Sequence, residues 1–173
     1  GDCKERRKEE NPKVILLLGP PGVGKGTCGQ FLTPTAGLPR IVTGNLIREE
    51  SRKDTELGKR LRVVDNSSMA KTEDTVSLLN GRLTQDDCLN GFILDGFPRN
   101  QQQLSVLDRI LRTMKLDVTA AIYLQAPRDV LLRRVAGRLT DRLTGNAYHE
   151  EFRPAEATSD GNKLELYRRP EDN

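Results

Sequence analysis

The sequence is poor in the residues on which many hydrolases and metalloproteins depend. It has one histidine, His149, only three cysteines and no tryptophan. A histidine-based acyl-transfer triad or a histidine metal cluster is therefore a poor explanation of the chain. We interpret His149, which follows Tyr148, as a hydrogen-bonded structural histidine. Cys3, Cys28 and Cys88 are too scattered for a C-x-x-C pair or a disulfide framework, which favours a reducing compartment.

Long apolar runs are also missing. Mean hydropathy is −0.60 and the longest apolar stretch is about one strand long, so we predict no membrane partner. The 28 basic residues are nearly balanced by 25 acidic ones, which gives no argument for a nucleic-acid partner. Residues 1–10 are mostly charged and contain no apolar core of a secretory signal, and we interpret residues 1–12 as a solvated tail. We expect a monomer of the cytoplasm, or of an organelle matrix if a presequence was removed.

What the sequence does contain is a glycine-rich loop between a strand and a helix. Residues 19–27 read G-P-P-G-V-G-K-G-T and follow the apolar run 14–18. Glycines let backbone N–H groups close around phosphate oxygens, and the start of a helix adds partial positive charge. The ammonium group of Lys25 can reach the terminal phosphates, and the hydroxyl of Thr27 can meet a magnesium ion. The spacing predicts a phosphate-binding loop with one extra glycine, Gly26, between these two residues.

Apolar strands alternate with helical patterns along residues 13–138. We predict strands at residues 13–18, 40–42, 92–94 and 120–124. We predict helices from Gly24 to about Leu32, at 46–52, 56–64, 72–83 and 101–114, and after Pro127. Thr33-Pro34 should end the first helix. Thr43 is the predicted N-cap of the second, and Thr72-Glu73-Asp74 should cap the fourth. This alternation predicts an α/β fold, a doubly wound parallel sheet with helices on both faces. From about Leu139 apolar content falls and turn residues accumulate, which indicates a small polar subdomain or lid.

Four polar side chains follow predicted strand ends. They are Lys25, Thr43, Asp95 and Arg99. Because ligands of doubly wound sheets bind at the carboxyl ends of the strands, we expect these side chains to meet in one crevice. Asp95 ends an apolar strand, as a Walker-B acid does, so it can hold Mg²⁺ directly or through water. We therefore predict Mg²⁺ as the cofactor, contacted by Thr27 and Asp95.

Several arginines are candidates for binding phosphates, because guanidinium groups bind phosphate through paired hydrogen bonds and keep their charge at any working pH. These candidates are Arg48, Arg99, Arg134, Arg138 and Arg169. Gly96 and Pro98 fix Arg99 at a strand end. The i, i+4 spacing of Arg134 and Arg138 predicts that both lie on one face of a helix.

With these pieces placed, the sequence resembles the adenylate kinases of the nucleoside monophosphate kinase family. The matching stretches run through most of the chain in the family's order: residues 19–27, T-G-N-L-I-R at 43–48, G-F-I-L-D-G-F-P-R at 91–99 with Gln103, Gly137-Arg138, and T-G-N-A-Y-H at 144–149. The D-G-F-P-R segment is far more specific than a phosphate loop alone. The long insert after Arg138 is similar to the lid of the long adenylate kinases.

The resemblance implies a P-loop core that reversibly transfers the terminal phosphoryl group of Mg·ATP to AMP, giving two ADP. It implies AMP-binding helices at about 43–72, a lid at 139–169 and a return to the core at 170–173. The implied catalytic residues are Lys25, Arg99, Arg138 and Arg169. The implied ATP-binding residues are Gly22, Gly24, Lys25, Gly26, Thr27, Arg134 and Arg138. The implied AMP-binding residues are Thr43, Arg48, Ala70, Lys71, Gly96, Arg99 and Gln103, the last near the adenine.

The lid departs from the relatives that bind zinc there. Some lids of the family hold zinc with four cysteines. The corresponding positions here are Asp141, Thr144, Ser159 and Asn162. These side chains predict a hydrogen-bonded polar network and no zinc site.

The end of the sequence and the acceptor leave alternatives open. The family continues after the lid with a helix carrying another phosphate-binding arginine, a last strand and a C-terminal helix, and none of these precedes Asn173. If the chain is truncated there, we expect exposed apolar surface and much reduced or absent turnover. Asn100, after Arg99, keeps a UMP/CMP kinase open, and a GTP:AMP kinase or a nucleotide-binding form without turnover is also open. A P-loop GTPase is disfavoured, because the sequence has no N-K-x-D motif.

Overall fold

The structure, a computed structural model, describes residues 11–64, 70–143, 145–155, 164–169 and 172. Its strands are β1 Lys13–Leu18, β2 Arg40–Val42, β3 Gly91–Asp95, β4 Val118–Tyr123, β5 Arg138–Asp141, β6 Ala147–His149 and β7 Leu166–Tyr167. Its helices are α1 Lys25–Ala36, α2 Thr43–Ser51, α3 Glu56–Val64, α4 Thr72–Leu83, α5 Gln101–Met114 and α6 Arg128–Ala136, and a 3-10 turn spans Asp86–Cys88. None of the described helices has the length and apolarity that a membrane span requires.

A parallel sheet with strand order β2-β3-β1-β4 forms the centre of the molecule. Successive residues of a strand point to opposite faces, so each strand serves two apolar clusters. Leu94 belongs to the larger cluster, with Leu79 of α4 and Leu107 of α5. Ile93 belongs to the cluster on the other face, against which Leu32 of α1 packs. Helices therefore cover both faces, and the predicted doubly wound parallel sheet is confirmed.

Within the described residues, β5, β6 and β7 form a separate antiparallel sheet of order β6-β5-β7. Its first strand begins at Arg138, directly after Gly137. The prediction that Arg134 and Arg138 share a helix face is therefore wrong, because α6 ends at Ala136 and Arg138 opens a strand. Gly137 is the C-cap of α6, so the helix ends before the i, i+4 spacing reaches residue 138.

The first helix is longer than predicted. It passes through Pro34 and ends at Ala36. Proline lacks an N–H group and cannot donate to the carbonyl four residues earlier, yet α1 continues for two more residues despite this missing hydrogen bond. The helix stops at Gly37, whose φ of 65° is left-handed and whose N–H donates to the backbone oxygen of Thr33 at 3.0 Å.

Two predicted helix caps are also wrong. Val42 caps α2, and Thr43 is already its first helical residue. The hydroxyl of Thr43 instead donates to the backbone oxygen of Asp95 at 3.3 Å. Lys71 is the N-cap of α4 and makes no side-chain capping hydrogen bond, so Thr72 is inside the helix. The remaining predicted elements agree with the structure to within a few residues.

Candidate active site

The loop between β1 and α1 has the backbone that its glycines predict. Gly19, Gly22 and Gly24 have φ angles of 140°, 78° and 103°, which side-chain-bearing residues rarely adopt. A Cβ on Gly19 would lie 2.6 Å from the backbone oxygen of Leu124, after β4. A Cβ on Gly22 would lie 3.0 Å from a methyl group of Val135 in α6. The glycines therefore let the loop pack tightly against both neighbours.

Lys25 lies inside this loop. Its Nζ donates to the backbone oxygens of Gly19 and Pro20 at 2.8 and 3.0 Å. Burial lowers the pKa of the Lys25 ammonium group, and surrounding charges act on it with both signs. Those charges, in order of decreasing effect, belong to Asp95, which raises the pKa, and to Arg99, Arg138 and Arg40, which lower it. A partly desolvated cation therefore lies among one carboxylate and three guanidinium groups.

Asp95 lies at the carboxyl end of β3 and is buried. Its Oδ2 accepts hydrogen bonds from Nη2 and Nε of Arg40, at 2.5 and 3.2 Å. No motif in the sequence singles out Arg40. The signal that could have found it is strand pairing: β2 and β3 are parallel neighbours with Val42 opposite Asp95, so a long side chain on β2 can reach this carboxylate.

The turn after β3 faces Thr43. A Cβ on Gly96, whose φ is 81°, would lie 3.2 Å from Oγ1 of Thr43 and 3.4 Å from Nη2 of Arg99. Arg99 donates from Nε to the backbone oxygen of Gly96 at 2.8 Å, and from its backbone N–H to Oε1 of Gln103 at 2.7 Å. The structure therefore brings Thr43 and Arg99 together beside Asp95, as the strand-end pattern predicts, and Gly96 and Gln103 lie with them.

The other residues predicted around this turn lie on α2 and before α4. Arg48 is half-buried, and its Nη2 donates to Oδ1 of Asn45 at 2.5 Å. The guanidinium group is thus folded back along its own helix. Ala70 and Lys71 directly precede α4, the first half-buried and the second exposed. Their contact with a ligand stays a prediction.

Two predicted arginines belong to the second sheet and the segment after it. Arg138 forms a two-pronged ion pair with the carboxylate of Asp172, in which Nε is 2.7 Å from Oδ2 and Nη2 donates to Oδ1. Arg169 donates from Nε to Oγ1 of the buried Thr140 at 2.9 Å. Sequence analysis does not single out Asp172 as a partner of Arg138. These contacts fix the positions of both guanidinium groups.

Arg134 reaches the loop from α6. Its Nη1 lies 3.4 Å from the backbone oxygen of Gly22, and its side chain is exposed. Although the helix-face argument fails, Arg134 contacts the phosphate loop and Arg138 acts electrostatically on Lys25. The two arginines therefore approach the same loop from different elements.

His149 has the structural role predicted for it. Its Nδ1 accepts hydrogen bonds from the backbone N–H groups of Glu151 and Phe152, both at 3.0 Å. Its Nε2 lies 3.2 Å from the backbone oxygen of Arg133, which fits the tautomer protonated at Nε2. Both ring nitrogens are thus used inside the fold.

The predicted polar network of the lid can be followed only at Asp141. Its Oδ1 accepts hydrogen bonds from the backbone N–H groups of Glu165 at 3.2 Å and Leu143 at 3.4 Å. Thr144, Ser159 and Asn162 lie outside the described residues. Over the part of the chain that the structure describes, no group of three or more His, Cys, Asp or Glu side chains could hold a metal.

The residues predicted for Mg²⁺ suit that ion. Mg²⁺ takes oxygen ligands and usually keeps several waters or phosphate oxygens. Thr27 offers an exposed hydroxyl in the first turn of α1, and Asp95 offers a carboxylate at the end of β3. So small a set of protein oxygens fits a metal that arrives bound to a nucleotide. Arg40 pairs with one of the Asp95 oxygens in this structure.

A cleft of about 510 Å³ is lined mainly by residues of β2, α2 and α4. Its lining includes Arg40, Asn45, Glu49, Ser77 and Arg82 but no residue of the phosphate loop. This cleft therefore does not mark the phosphate loop, whereas a second cleft of about 500 Å³ is lined by Pro20 of the loop together with Tyr123 and Pro127. The candidate active site is located by the charged groups that surround Lys25.

Known proteins are similar in sequence to this chain over most of its length. The family model for adenylate kinase matches residues 17–169. The adenylate kinase of Clostridioides difficile (strain 630) is 38% identical over 162 residues, 92% of this chain and 75% of that protein. Adenylate kinases of Streptomyces avermitilis and Listeria monocytogenes serotype 4b are 38% and 37% identical, over 91% of this chain and 74% and 75% of their own lengths. The phosphate loop, the D-G-F-P-R turn and these similarities together show that the chain belongs to the adenylate kinase family.

Proposed function

We propose that this chain transfers the terminal phosphoryl group of Mg·ATP to AMP, reversibly, and so forms two ADP. The observation that carries this proposal is the position of Lys25, partly buried among Asp95, Arg99, Arg138 and Arg40. When the acceptor is itself a phosphate, the nucleophile is already anionic. Positioning and charge neutralisation can then do most of the catalysis, and no histidine base is required.

The phosphate loop is the proposed donor site. Backbone N–H groups around Gly22, Gly24 and Gly26 would hold the ATP phosphates, and Arg134 would cover the nucleotide from α6. Lys25 would exchange its hydrogen bonds to loop carbonyls for bonds to phosphate oxygens. Thr27 and Asp95 would hold Mg²⁺, directly or through water. When bound, the ion neutralises charge on the donor phosphates.

The turn after β3 is the proposed acceptor site. Thr43, Gly96 and Arg99 already lie together there, and Arg48 and Gln103 flank them. Ala70 and Lys71 would complete the AMP pocket. Arg138 and Arg169 would stabilise the transferring phosphoryl group. In this structure Asp172 binds the guanidinium group of Arg138, and Thr140 binds that of Arg169.

The segments that enclose the crevice would close over the nucleotides. We propose α2 and α3, within residues 43–72, as the AMP-binding segment, and residues 139–169 as the lid. Nη2 of Arg52, after α2, donates to the backbone oxygen of Arg142, after β5, at 2.6 Å. Direct contact between the two segments would exclude water and so suppress ATP hydrolysis. The monomeric state and the cytoplasmic or organelle-matrix location stay predictions.

A coupled assay of ADP formation tests the function. With Mg·ATP fixed, AMP should give the highest rate, and CMP and UMP lower ones. Equal rates with CMP or UMP would contradict AMP as the acceptor, and a higher rate with GTP would contradict ATP as the donor. Calorimetric binding of ATP without formation of ADP would instead support a nucleotide-binding protein without turnover.

A further inference from the structure

Among the described arginines whose charge acts on Lys25, Arg40 is the one that the reaction described above does not use. It is the first residue of β2 and pairs with Ile93 in the sheet, whereas Asp95 lies two residues further along β3. The Arg40 side chain therefore extends towards the carboxyl ends of the strands. It is 20% exposed, so it lies largely inside the crevice.

The path of Arg40 runs across α1 and depends on a glycine. Nη1 of Arg40 donates to the backbone oxygen of Gly26 at 3.3 Å. A Cβ on Gly29 would lie 2.3 Å from Nε and 2.5 Å from Cδ of Arg40. Real Cβ atoms do not approach so closely, so a side chain at residue 29 would force Arg40 off its present path to Asp95.

Asp95 needs a cation at all times. Its side chain is only 4% exposed, and a buried carboxylate without a partner is strongly disfavoured. Lys25 is engaged with the oxygens of Gly19 and Pro20. Arg40 therefore supplies the direct counter-charge, through two hydrogen bonds to Oδ2.

We propose that Arg40 is a positioning residue that occupies the Asp95 carboxylate until a metal ion arrives with its nucleotide. This inference rests on the proposed function, which gives Asp95 to the metal. A guanidinium group and a divalent cation compete for the same carboxylate oxygen and repel each other. The pairing with Arg40 thus disfavours a bare metal ion in the empty crevice. A nucleotide-bound metal brings phosphate oxygens, which offer the displaced guanidinium group a new partner.

Binding of Mn²⁺ to the full chain without nucleotide tests this proposal, with free Mn²⁺ followed by electron paramagnetic resonance. Arg40→Gln should bind Mn²⁺ at least about tenfold more tightly than wild type, because a close competing charge is removed. Arg40→Lys should lie between the two, since it keeps the charge but loses the paired hydrogen bonds. In the Arg40→Gln/Asp95→Asn double variant the gain should disappear.

Gly29→Ala provides a second test, in which the sequence keeps Arg40 but its side chain is moved. The added methyl group would displace Arg40 from Asp95, so Mn²⁺ affinity should rise in the same direction as in Arg40→Gln. Gly81→Ala is the matched control, because a Cβ on this glycine of α4 would meet nothing within 4 Å. Its Mn²⁺ affinity should equal that of wild type. Circular dichroism checks the fold of each variant, and Gly29→Ala carries the test if Arg40→Gln does not fold.

Two results would overturn the proposal. One is wild-type Mn²⁺ affinity in folded Arg40→Gln or, where that variant does not fold, in folded Gly29→Ala. The other is a gain in affinity that persists after Asp95→Asn. ADP formation by wild type in the same buffer separates this inference from the proposed function. Turnover with unchanged Mn²⁺ affinities contradicts only the role of Arg40, whereas absent turnover contradicts the kinase reaction itself.

Discussion

Strands β3 and β4 both pair with β1 in the same parallel sheet, yet their surroundings are opposite. All five residues of β3 are buried, whereas every residue of β4 is exposed or half-exposed. β3 lies between two strands, while within the described residues β4 pairs with β1 alone. Asp95 ends β3, Arg99 lies in the turn after it, and the charges of both act on Lys25. The comparison indicates that groups needing accurate placement are carried by the strand that packing holds most firmly.

The largest expected difference between the two strands is in stability. Phe92→Ala in β3 should lower the free energy of unfolding by about 3–5 kcal/mol, because it leaves a cavity in the core. Ile122→Ala in β4 should cost only about 1 kcal/mol, since the site is already half-exposed. Urea denaturation of both variants measures this difference. Equal losses would mean that β4 is as well covered in solution as β3.

The next difference is in catalysis. Arg99→Ala should lower kcat/KM by roughly 10²-fold, because a charge aimed at the reacting phosphates is lost. Arg134→Ala, on exposed α6, should cost roughly tenfold and act mainly through the KM for ATP. Steady-state kinetics with ATP and AMP varied separately measures both. If Arg134→Ala lost more kcat/KM than Arg99→Ala, the arginine more important for catalysis would lie after β4 and not after β3.

The smallest difference concerns two thiols. Burial raises the pKa of the Cys88 thiol, beside the start of β3, to about 11, and this residue is fully buried. Cys28, on α1, is half-buried. Thiolate is the nucleophile, so iodoacetamide at pH 8 should alkylate Cys28 at least about tenfold faster than Cys88.

Peptide mapping by mass spectrometry follows each cysteine separately. Labelling of Cys88 in the folded protein should rise only as the pH approaches 11. In urea both cysteines should react alike. Fast labelling of Cys88 at pH 8 without denaturant would contradict the burial of this side of the sheet.

Much of the β3 side could be predicted from local sequence. The apolar run Phe92-Ile93-Leu94 indicates a buried strand, and D-G-F-P-R after it indicates the turn that carries Asp95 and Arg99. The convergence with Lys25 and Thr43 follows from parallel strands whose carboxyl ends share one edge. These inferences use only neighbouring residues and a general property of α/β sheets.

What could not be predicted depends on residues distant in the sequence. The run 120–124 is as apolar as β3, and its exposure is set by which strands and helices cover it. The Arg40–Asp95 pair depends on the register of β2 against β3 and on Gly29 of α1. The predicted helical position of Arg138 is wrong because α6 ends at Ala136, before the i, i+4 spacing reaches residue 138.

The proposed phosphoryl transfer takes place at the β1–β3 side of the crevice, where Lys25 would neutralise charge on the phosphates. A coupled ADP-formation assay with Mg·ATP and AMP tests it most directly, comparing wild type with Lys25→Ala. Arg112→Ala is the control, because it removes one positive charge from an exposed ion pair with Asp108 on α5. We predict turnover by wild type and Arg112→Ala alike and a loss of about 10²- to 10³-fold in Lys25→Ala. Equal turnover in Lys25→Ala and wild type would contradict the account.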